Sequence, residues 1–313
     1  MSSARTSRPV LGISLIVSAL LLYSVQDMVI KAYANQFSIL QIMCLRSVVA
    51  IVILAFIVWW KRGWRGFAVQ RPGFMLIRGL FGFLAYLGYY LAIAAMPLAQ
   101  VVAIVFTAPI FVTVFSSLLL GESVGPRRWT AVVIGFMSVL LVLGPGGNYF
   151  QLAAFLALFA AATYAAMILM TALVNEHNDG WQISFYASVA FLLGSVLAAA
   201  LVSWWSPVAQ ENAALDFLLR NWQAPDAWQL LIFLSLGLVT AFGQYGLVMA
   251  YTVAPMSTIA PFEYTYIIWA VLFGYWFWGE VPGVYTVAGI AIIIGCNLFI
   301  LYRERQLELQ AKT

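Results

Sequence analysis

Charged residues are scarce in this chain: Asp, Glu, Lys and Arg make up 8% of the 313 residues, whereas hydrophobic residues make up 64%. A soluble domain cannot cover so many apolar side chains with so little polar surface, so the composition predicts a protein embedded in a lipid bilayer. The net charge of +4 comes from scattered basic residues. They are too few to form a nucleic-acid-binding surface, and we expect no nucleic-acid partner.

Histidine and cysteine are also nearly absent, which restricts the possible chemistry. His177 is the only histidine and falls in a polar loop, so we expect no metal site and no other cofactor. Cys44 and Cys296 both fall in apolar runs and are predicted to be packing residues rather than a disulfide. Because the chain lacks clustered acids and a Ser/His nucleophile system, a membrane-embedded enzyme is only a remote alternative.

Apolar runs of roughly 20 residues, the length that spans a bilayer, occur ten times. The first, from Val10 to Ile30, is long enough to span and has no small-residue cleavage site after it, so it is predicted to be a helix rather than a signal peptide. The predicted spans are about 10–31, 37–60, 73–95, 98–120, 127–144, 149–174, 181–205, 227–253, 256–278 and 283–302. A polar stretch between spans 7 and 8 contains apolar residues around Phe217 and predicts a short helix lying on the membrane interface.

One pattern in the chain occurs twice, at a constant separation of 158 positions. It predicts two domains, residues 1–146 and 147–313, with five spans each. Because five is odd, the second half enters the membrane from the opposite side, which gives an inverted repeat around a central cavity. The matching residues are Gly88, Ala92, Pro97, Gly121, Glu122 and Gly125, with Gly246, Ala250, Pro255, Gly279, Glu280 and Gly283.

Basic residues predict the orientation, because Lys and Arg are enriched in cytoplasmic loops. With ten spans, both termini lie on the basic, cytoplasmic side, and the opposite side receives only Lys31 and Arg220. The residues of the basic side are Arg5, Arg8, Lys61, Arg62, Arg65, Arg71, Arg127, Arg128, Arg303, Arg305 and Lys312.

This architecture resembles the drug/metabolite transporter superfamily, specifically its EamA-type domains. The resemblance is carried by Gly121-Glu122 and Gly279-Glu280, each followed by a small residue at the ninth position, and by an opening segment typical of bacterial members. The small residues are Ala131 and Gly289, and the opening segment consists of residues 23–31 followed by Gln41 and Arg46. The resemblance implies a multi-pass carrier of the bacterial inner membrane, often an exporter of amino acids or other metabolites. The aromatic amino-acid exporter branch is one candidate.

Ionisable side chains inside the spans are candidates for function, because burying one in lipid costs at least ~2.5 kcal/mol. Arg46 lies mid-helix and is predicted to face a polar cavity, where its guanidinium could bind a carboxylate. Arg78 either lines the same site or extends to the headgroups. Glu263 could bind a substrate ammonium, carry a coupling proton or neutralise an arginine. Asp27 and Lys31 are most simply an i, i+4 pair at a helix end.

Aromatic and amide side chains in mid-span supply the other candidate binding residues. Tyr86 and Tyr90 share one helix face with Arg78, since they recur every four residues. They predict a cavity lining, with aromatic packing as the alternative. The remaining predicted substrate-binding residues are Gln244, Tyr264 and Trp269, next to Glu263.

Two prolines fall inside predicted spans, and two Gly-Glu pairs follow spans. Pro109 and Pro261 are predicted to be hinges of a gate or fixed bends. In Gly121-Glu122 and Gly279-Glu280, the glycine is predicted to end one helix and the carboxylate to cap the next.

These features predict a secondary transporter that exports small amphipathic metabolites by alternating access, with amino acids, aromatic ones included, as the leading class. A multidrug carrier, or a carrier of riboflavin-like or nucleotide-derived metabolites, is the alternative. The expected partners are a small-molecule substrate and the bilayer. Two halves in one chain suffice as a monomer and are equally compatible with an oligomer.

Overall fold

The computed structural model describes residues 8–119, 121, 125–144, 152–175, 180–205, 212–254 and 256–310, and these form an all-α protein. Glu122, His177 and Pro255 lie outside the described residues. The helices are α1 (Pro9–Ala32), α2 (Ile39–Arg62), α3 (Pro72–Ala95), α4 (Leu98–Val105), α5 (Ala108–Leu119), α6 (Pro126–Leu143), α7 (Leu152–Asn175), α8 (Gly180–Trp205), α9 (Ala213–Leu219), α10 (Ala227–Val253), α11 (Met256–Glu263), α12 (Thr265–Trp278) and α13 (Val284–Gln310), with a 3-10 helix at Gly63–Phe67.

The helices match the ten predicted spans to within a few residues, except that α13 continues to Gln310. Within the described ranges, nine helical segments are long and apolar enough to cross a membrane. The predicted span 256–278 is the tenth, but it consists of two shorter helices, α11 and α12. The all-α membrane architecture predicted from the sequence is therefore confirmed, and the continuity of the fourth and ninth spans is corrected.

Packing between the halves follows a pseudo-two-fold axis. The first span of each half packs along the third span of the other, α1 on α10 and α7 on α3. The repeated glycines lie at these crossings, where a Cβ atom on Gly88 would come within 3.0 Å of the Leu156 carbonyl oxygen. A Cβ on Gly246 would lie 3.5 Å from the Leu15 carbonyl oxygen. The sequence repeat is thus a structural repeat, with small residues where helix backbones approach closely.

Spans 4 and 9 are both broken at the same repeat position. The first break falls at Phe106-Thr107, between α4 and α5, and the second at Tyr264, between α11 and α12. At each break a threonine hydroxyl donates to the carbonyl three residues earlier: Thr107 to Ile104 at 2.6 Å, and Thr265 to Phe262 at 2.7 Å. The hydroxyls thereby satisfy carbonyls near the end of each first half-helix.

The two prolines take different places around these breaks. Pro109 lies at the second position of α5, after the break, where a proline costs no helical hydrogen bond. The sequence predicted that Pro109 would bend a continuous helix. In the structure it instead follows the break between α4 and α5. Pro261 does lie inside a helix, α11, three residues before the break at Tyr264.

The short helix α9 covers the end of the bundle where α1 ends and α2 begins. The sequence predicted that its apolar residues would lie on the membrane interface. Instead, Phe217 is completely buried in the protein core. The Arg220 Nη1 donates to the carbonyl of Ala34 at 3.0 Å. The helix therefore packs onto the protein itself, over what the orientation rule predicts is the outer side.

Candidate functional site

A small polar cavity lies between α1, α2, α3, α8 and α10, in the middle of the bundle. Its free volume is about 20 Å³, enough for a water molecule and far less than a metabolite. Both halves contribute side chains to it. The residues that carry its chemistry are Tyr23, Gln26, Arg46, Tyr86, Thr240 and Gln244.

Arg46 is the charged residue of the cavity. It is 2% exposed, and its Nη1 donates to the Tyr90 hydroxyl at 2.8 Å. Its Nε has no hydrogen-bond partner. The guanidinium carbon lies 5.1 Å from the Tyr90 ring centroid, 5.9 Å from that of Tyr86 and 5.7 Å from that of Phe191. A cation enclosed by aromatic rings and short of acceptors is suited to bind a carboxylate or carbonyl group.

Neutral polar groups continue from Arg46 across the cavity. The Tyr90 hydroxyl also accepts from Gln26 Nε2 at 2.9 Å, and Gln26 Oε1 accepts from the Thr240 hydroxyl at 2.8 Å. This chain of hydrogen bonds joins α2, α3, α1 and α10, and so connects the two halves. Gln244 Oε1 is buried and has no partner, so it offers an acceptor on the wall formed by the second half.

A second buried group, Asp27, lies beside this network. It is 2% exposed, and its Oδ2 accepts from the Tyr89 hydroxyl at 2.7 Å and from the Tyr266 hydroxyl. Tyr89 belongs to α3 and Tyr266 to α12, so the carboxylate on α1 joins both halves. The predicted pairing of Asp27 with Lys31 is wrong, because each side chain has other partners.

Lys31 and Glu280 fasten the end of the bundle that α9 covers, which we call the Lys31 end. The Lys31 Nζ lies 2.5 Å from Glu280 Oε1 and donates to the Met96 carbonyl at 3.0 Å. Glu280 Oε2 accepts from the backbone N–H of Leu98 at 2.8 Å. The predicted capping role of Glu280 therefore exists, but it caps α4 of the other half rather than the following helix. Gly279 ends α12 in the left-handed conformation, as predicted.

At the opposite end, two side chains of α8 donate hydrogen bonds to backbone carbonyls of the segment after α2. Gln182 Nε2 on α8 donates to the carbonyl of Gly66 at 2.6 Å, and the Tyr186 hydroxyl donates to that of Phe67 at 2.9 Å. Arg78 lies toward this end, where its Nε donates to the Thr171 hydroxyl at 2.8 Å. The structure thus places Arg78 in a contact between α3 and α7, outside the described cavity lining.

The predicted site residues separate into two groups. The first group lines the cavity and consists of Arg46, Tyr86 and Gln244, with Tyr90 hydrogen-bonded to the Arg46 guanidinium. The others lie around the broken helices or outside the described lining: Arg78, Glu263, Tyr264, Trp269, Pro109 and Pro261. The Tyr264 ring contacts that of Phe106, its repeat counterpart, at 5.2 Å between centroids.

Sequence reasoning missed several residues of the site. Gln26 is central to the hydrogen-bond network, and Ser188 and Phe191 complete the lining. A signal for Gln26 was present: Tyr23 and Gln26 are polar, mid-span and three residues apart, so they share a helix face. Nothing comparable marks Ser188 and Phe191, because serine and phenylalanine are ordinary residues of apolar helices.

Taken together, the two structurally equivalent halves, the broken helices and a polar cavity between them define a multi-pass membrane transporter. The chain belongs to the EamA-like transporter family, whose sequence model matches residues 10–144 and 151–302. Family members of this kind are carriers rather than enzymes, in agreement with the expectation from composition. Both copies of the predicted repeat correspond to a copy of the family domain.

Several curated relatives are transporters of different solutes. The chain is 31% identical to a riboflavin transporter of Rhizobium johnstonii, over 69% of this chain and 66% of the relative. It is 24% identical to an S-adenosylmethionine uptake transporter of Rickettsia prowazekii, over 94% of each chain. It is 26% identical to a pseudopaline exporter of Pseudomonas aeruginosa, over 91% of this chain and 94% of the relative.

A solved crystal structure shares the fold. That protein is 16% identical in sequence and superposes with a TM-score of 0.60, over 95% of this chain and 98% of its own. At this identity the likeness shows the fold alone.

Proposed function

We propose that this chain is a secondary transporter that moves small amphipathic metabolites across the bacterial inner membrane by alternating access, with the Arg46 cavity as its substrate site. The observation that carries the proposal is the Arg46 guanidinium, which is buried, enclosed by three aromatic rings and left with an unpartnered Nε. A buried cation with unused donors favours a ligand that brings an acceptor.

The lining supports amino acids with apolar or aromatic side chains as the first substrate class. A carboxylate would meet the donors of Arg46, and an ammonium group would meet the unpartnered Oε1 of Gln244. The rings of Tyr86 and Phe191 would contact the apolar part. Export is the direction that the family resemblance implies.

Riboflavin-like molecules are the second candidate class. Two relatives that are each 31% identical, from Rhizobium johnstonii and Vibrio cholerae, are named riboflavin transporters. A flat heterocycle with carbonyl acceptors fits the same combination of aromatic rings and guanidinium donors.

Movement of the two halves would enlarge the closed cavity and open it to each side in turn. We propose that the two breaks are the hinges, with Pro109 and Pro261 shaping them, since both helices lose their regular hydrogen bonding there. The rings of Phe106 and Tyr264 are in contact at the breaks, so bending at one break displaces the other directly.

Counterflow in proteoliposomes tests the substrate site, with labelled aromatic amino acids, labelled riboflavin and a cationic dye as probes. Arg46→Gln is expected to slow transport about 10-fold to 100-fold, because one or two charge-assisted hydrogen bonds are lost. Arg65→Gln makes the same chemical change at an exposed position and is the matched control. Uptake of the dye alone, unaffected by Arg46→Gln, would contradict both substrate classes and the site.

A further inference from the structure

Asp27 is a buried carboxylate that the substrate site does not use. Its two hydrogen-bond donors, Tyr89 and Tyr266, are neutral. The nearby cations are engaged elsewhere: Lys31 with Glu280 and the Met96 carbonyl, and Arg46 with Tyr90. Among the described residues, no ion pair to Asp27 is present. A carboxylate in the membrane interior without a bonded cation is neutralised most simply by a proton.

The position of Asp27 connects its charge to the closure of the Lys31 end. Through Tyr266 it holds α12 against α1, and one helical turn further along α1, Lys31 holds Glu280 just after α12. The two contacts lie on the same pair of helices. A change at Asp27 therefore acts on the closure through α12.

We infer that Asp27 is a proton-binding site, and that its protonation releases α12 from α1 and opens the Lys31 end. An ionised carboxylate accepts strong hydrogen bonds from two hydroxyls. A protonated carboxyl group is a weaker acceptor, and its own O–H needs an acceptor in turn. This inference rests on the proposed function, because it assigns the ion that drives the substrate movement.

Other ionisable groups surround Asp27 on the packed helices and have to be separated from it. They are Tyr86, Tyr89 and Tyr90 on α3, Tyr266 on α12, Glu263 on α11, Arg46 on α2 and Lys31 on α1 itself, whereas α10 presents Thr240 and Gln244. Glu263 is the other acid within these helices, and Glu263→Gln is therefore the matched control for Asp27→Asn.

Infrared difference spectroscopy detects the proton directly. Wild-type protein in liposomes is expected to show the C=O band of a protonated carboxyl group on acidification. The component of this band that comes from Asp27 should be missing in Asp27→Asn, whose amide keeps the size and an acceptor oxygen but cannot titrate in this range. It should persist in Glu263→Gln. An unchanged band in Asp27→Asn would overturn the proton assignment.

Distances between spin labels detect the opening. Labels at Asn35 and Val281, both exposed, follow α1 and α12 in a background with Cys44 and Cys296 replaced by alanine. The wild-type distance is expected to lengthen on acidification. Asp27→Asn should hold the long distance at every pH, and Glu263→Gln should behave as wild type. A wild-type distance that ignores pH would overturn the opening.

A second variant keeps the test valid if Asp27→Asn fails to fold. Tyr89→Phe removes one donor to the ionised carboxylate and leaves both the acid and its Tyr266 contact with α12 in place. Half of the molecules are then expected to show the long label distance at about one-tenth of the proton concentration that the wild type needs, or less. This shift corresponds to the loss of one charge-assisted hydrogen bond. Neither measurement uses a transported solute, so a wrong substrate class would leave both results intact.

Discussion

The two halves of this protein are alike in backbone and unlike in charge. Both have a broken fourth span, and both have a glycine where their third span crosses the first span of the other half. Yet Asp27 and Arg46, the charged residues that are fully buried among the described ones, both come from the first half, while the second half contributes neutral groups such as Thr240 and Gln244 to the cavity. The repeat therefore sets the common backbone of the two halves, and the differences between its copies set the chemistry of the proposed substrate site.

The largest expected effect comes from breaking the ion pair that joins the halves, Lys31 with Glu280. Their side chains are 9% and 18% exposed. Lys31→Met leaves a carboxylate largely buried without its cation, and we expect a loss of about 3 kcal/mol in the free energy of unfolding. Unfolding monitored by intrinsic tryptophan fluorescence in mild detergent measures this loss.

The double variant separates charge from packing. Lys31→Met combined with Glu280→Gln removes both charges, so it is expected to be less destabilising than Lys31→Met alone. Additive losses in this cycle would show that the two residues act independently. They would also contradict the assignment of this pair as the fastening of the Lys31 end.

A smaller effect is expected at a crossing where the halves differ in sequence. A Cβ atom on Gly289 would lie 2.8 Å from the Val142 backbone nitrogen and 2.9 Å from the Ser138 carbonyl oxygen. Gly289→Ala is therefore expected to cost about 1–3 kcal/mol, because two backbones have to separate. The same unfolding measurement applies.

Gly295 on the same helix is the matched control for Gly289. A Cβ atom there meets nothing within 4 Å, so Gly295→Ala is expected to be neutral or to stabilise α13 by up to about 1 kcal/mol. The repeat counterpart of Gly289 is Ala131, which already carries a Cβ in a buried position. Equal effects at Gly289 and Gly295 would mean that the close crossing at Gly289 does not decide the cost.

The fold was predictable from the sequence because the features that determine it are visible in short stretches of the chain and in their spacing. Apolar run length fixes the spans, basic residues suggest the orientation, and the constant spacing from Gly88 to Gly246 reveals the repeat. The breaks were not predictable from proline, since Pro109 follows one break and Pro261 precedes the other. The feature they share is a threonine hydroxyl, which sequence alone does not distinguish from an ordinary helical threonine.

The site was predictable only where a residue is costly in lipid. Arg46 had to find a polar environment, and Tyr90 followed from the helix face that it shares with Tyr86. The roles of Asp27 and Glu280 depend on contacts 62 and 249 residues distant in the chain, with Tyr89 and Lys31 respectively. Local spacing suggested nearer partners, and tertiary packing decided otherwise.

The smallest expected effect tests how alike the two breaks are. Thr107→Val and Thr265→Val keep the branched shape and remove the hydroxyl that bonds to Ile104 or Phe262, at a cost of about 1 kcal/mol each. Because the rings of Phe106 and Tyr264 touch, the two losses are expected to be non-additive in the double variant.

Thr130→Val supplies the reference for these two changes. Its hydroxyl also donates three residues back, to the Arg127 carbonyl at 2.8 Å, but in the unbroken helix α6 and near the surface. Loss of that bond leaves a carbonyl that water can reach, so a smaller effect is expected. If Thr107→Val and Thr265→Val matched Thr130→Val and added without coupling, the breaks would be two independent local turns rather than one joint between the halves.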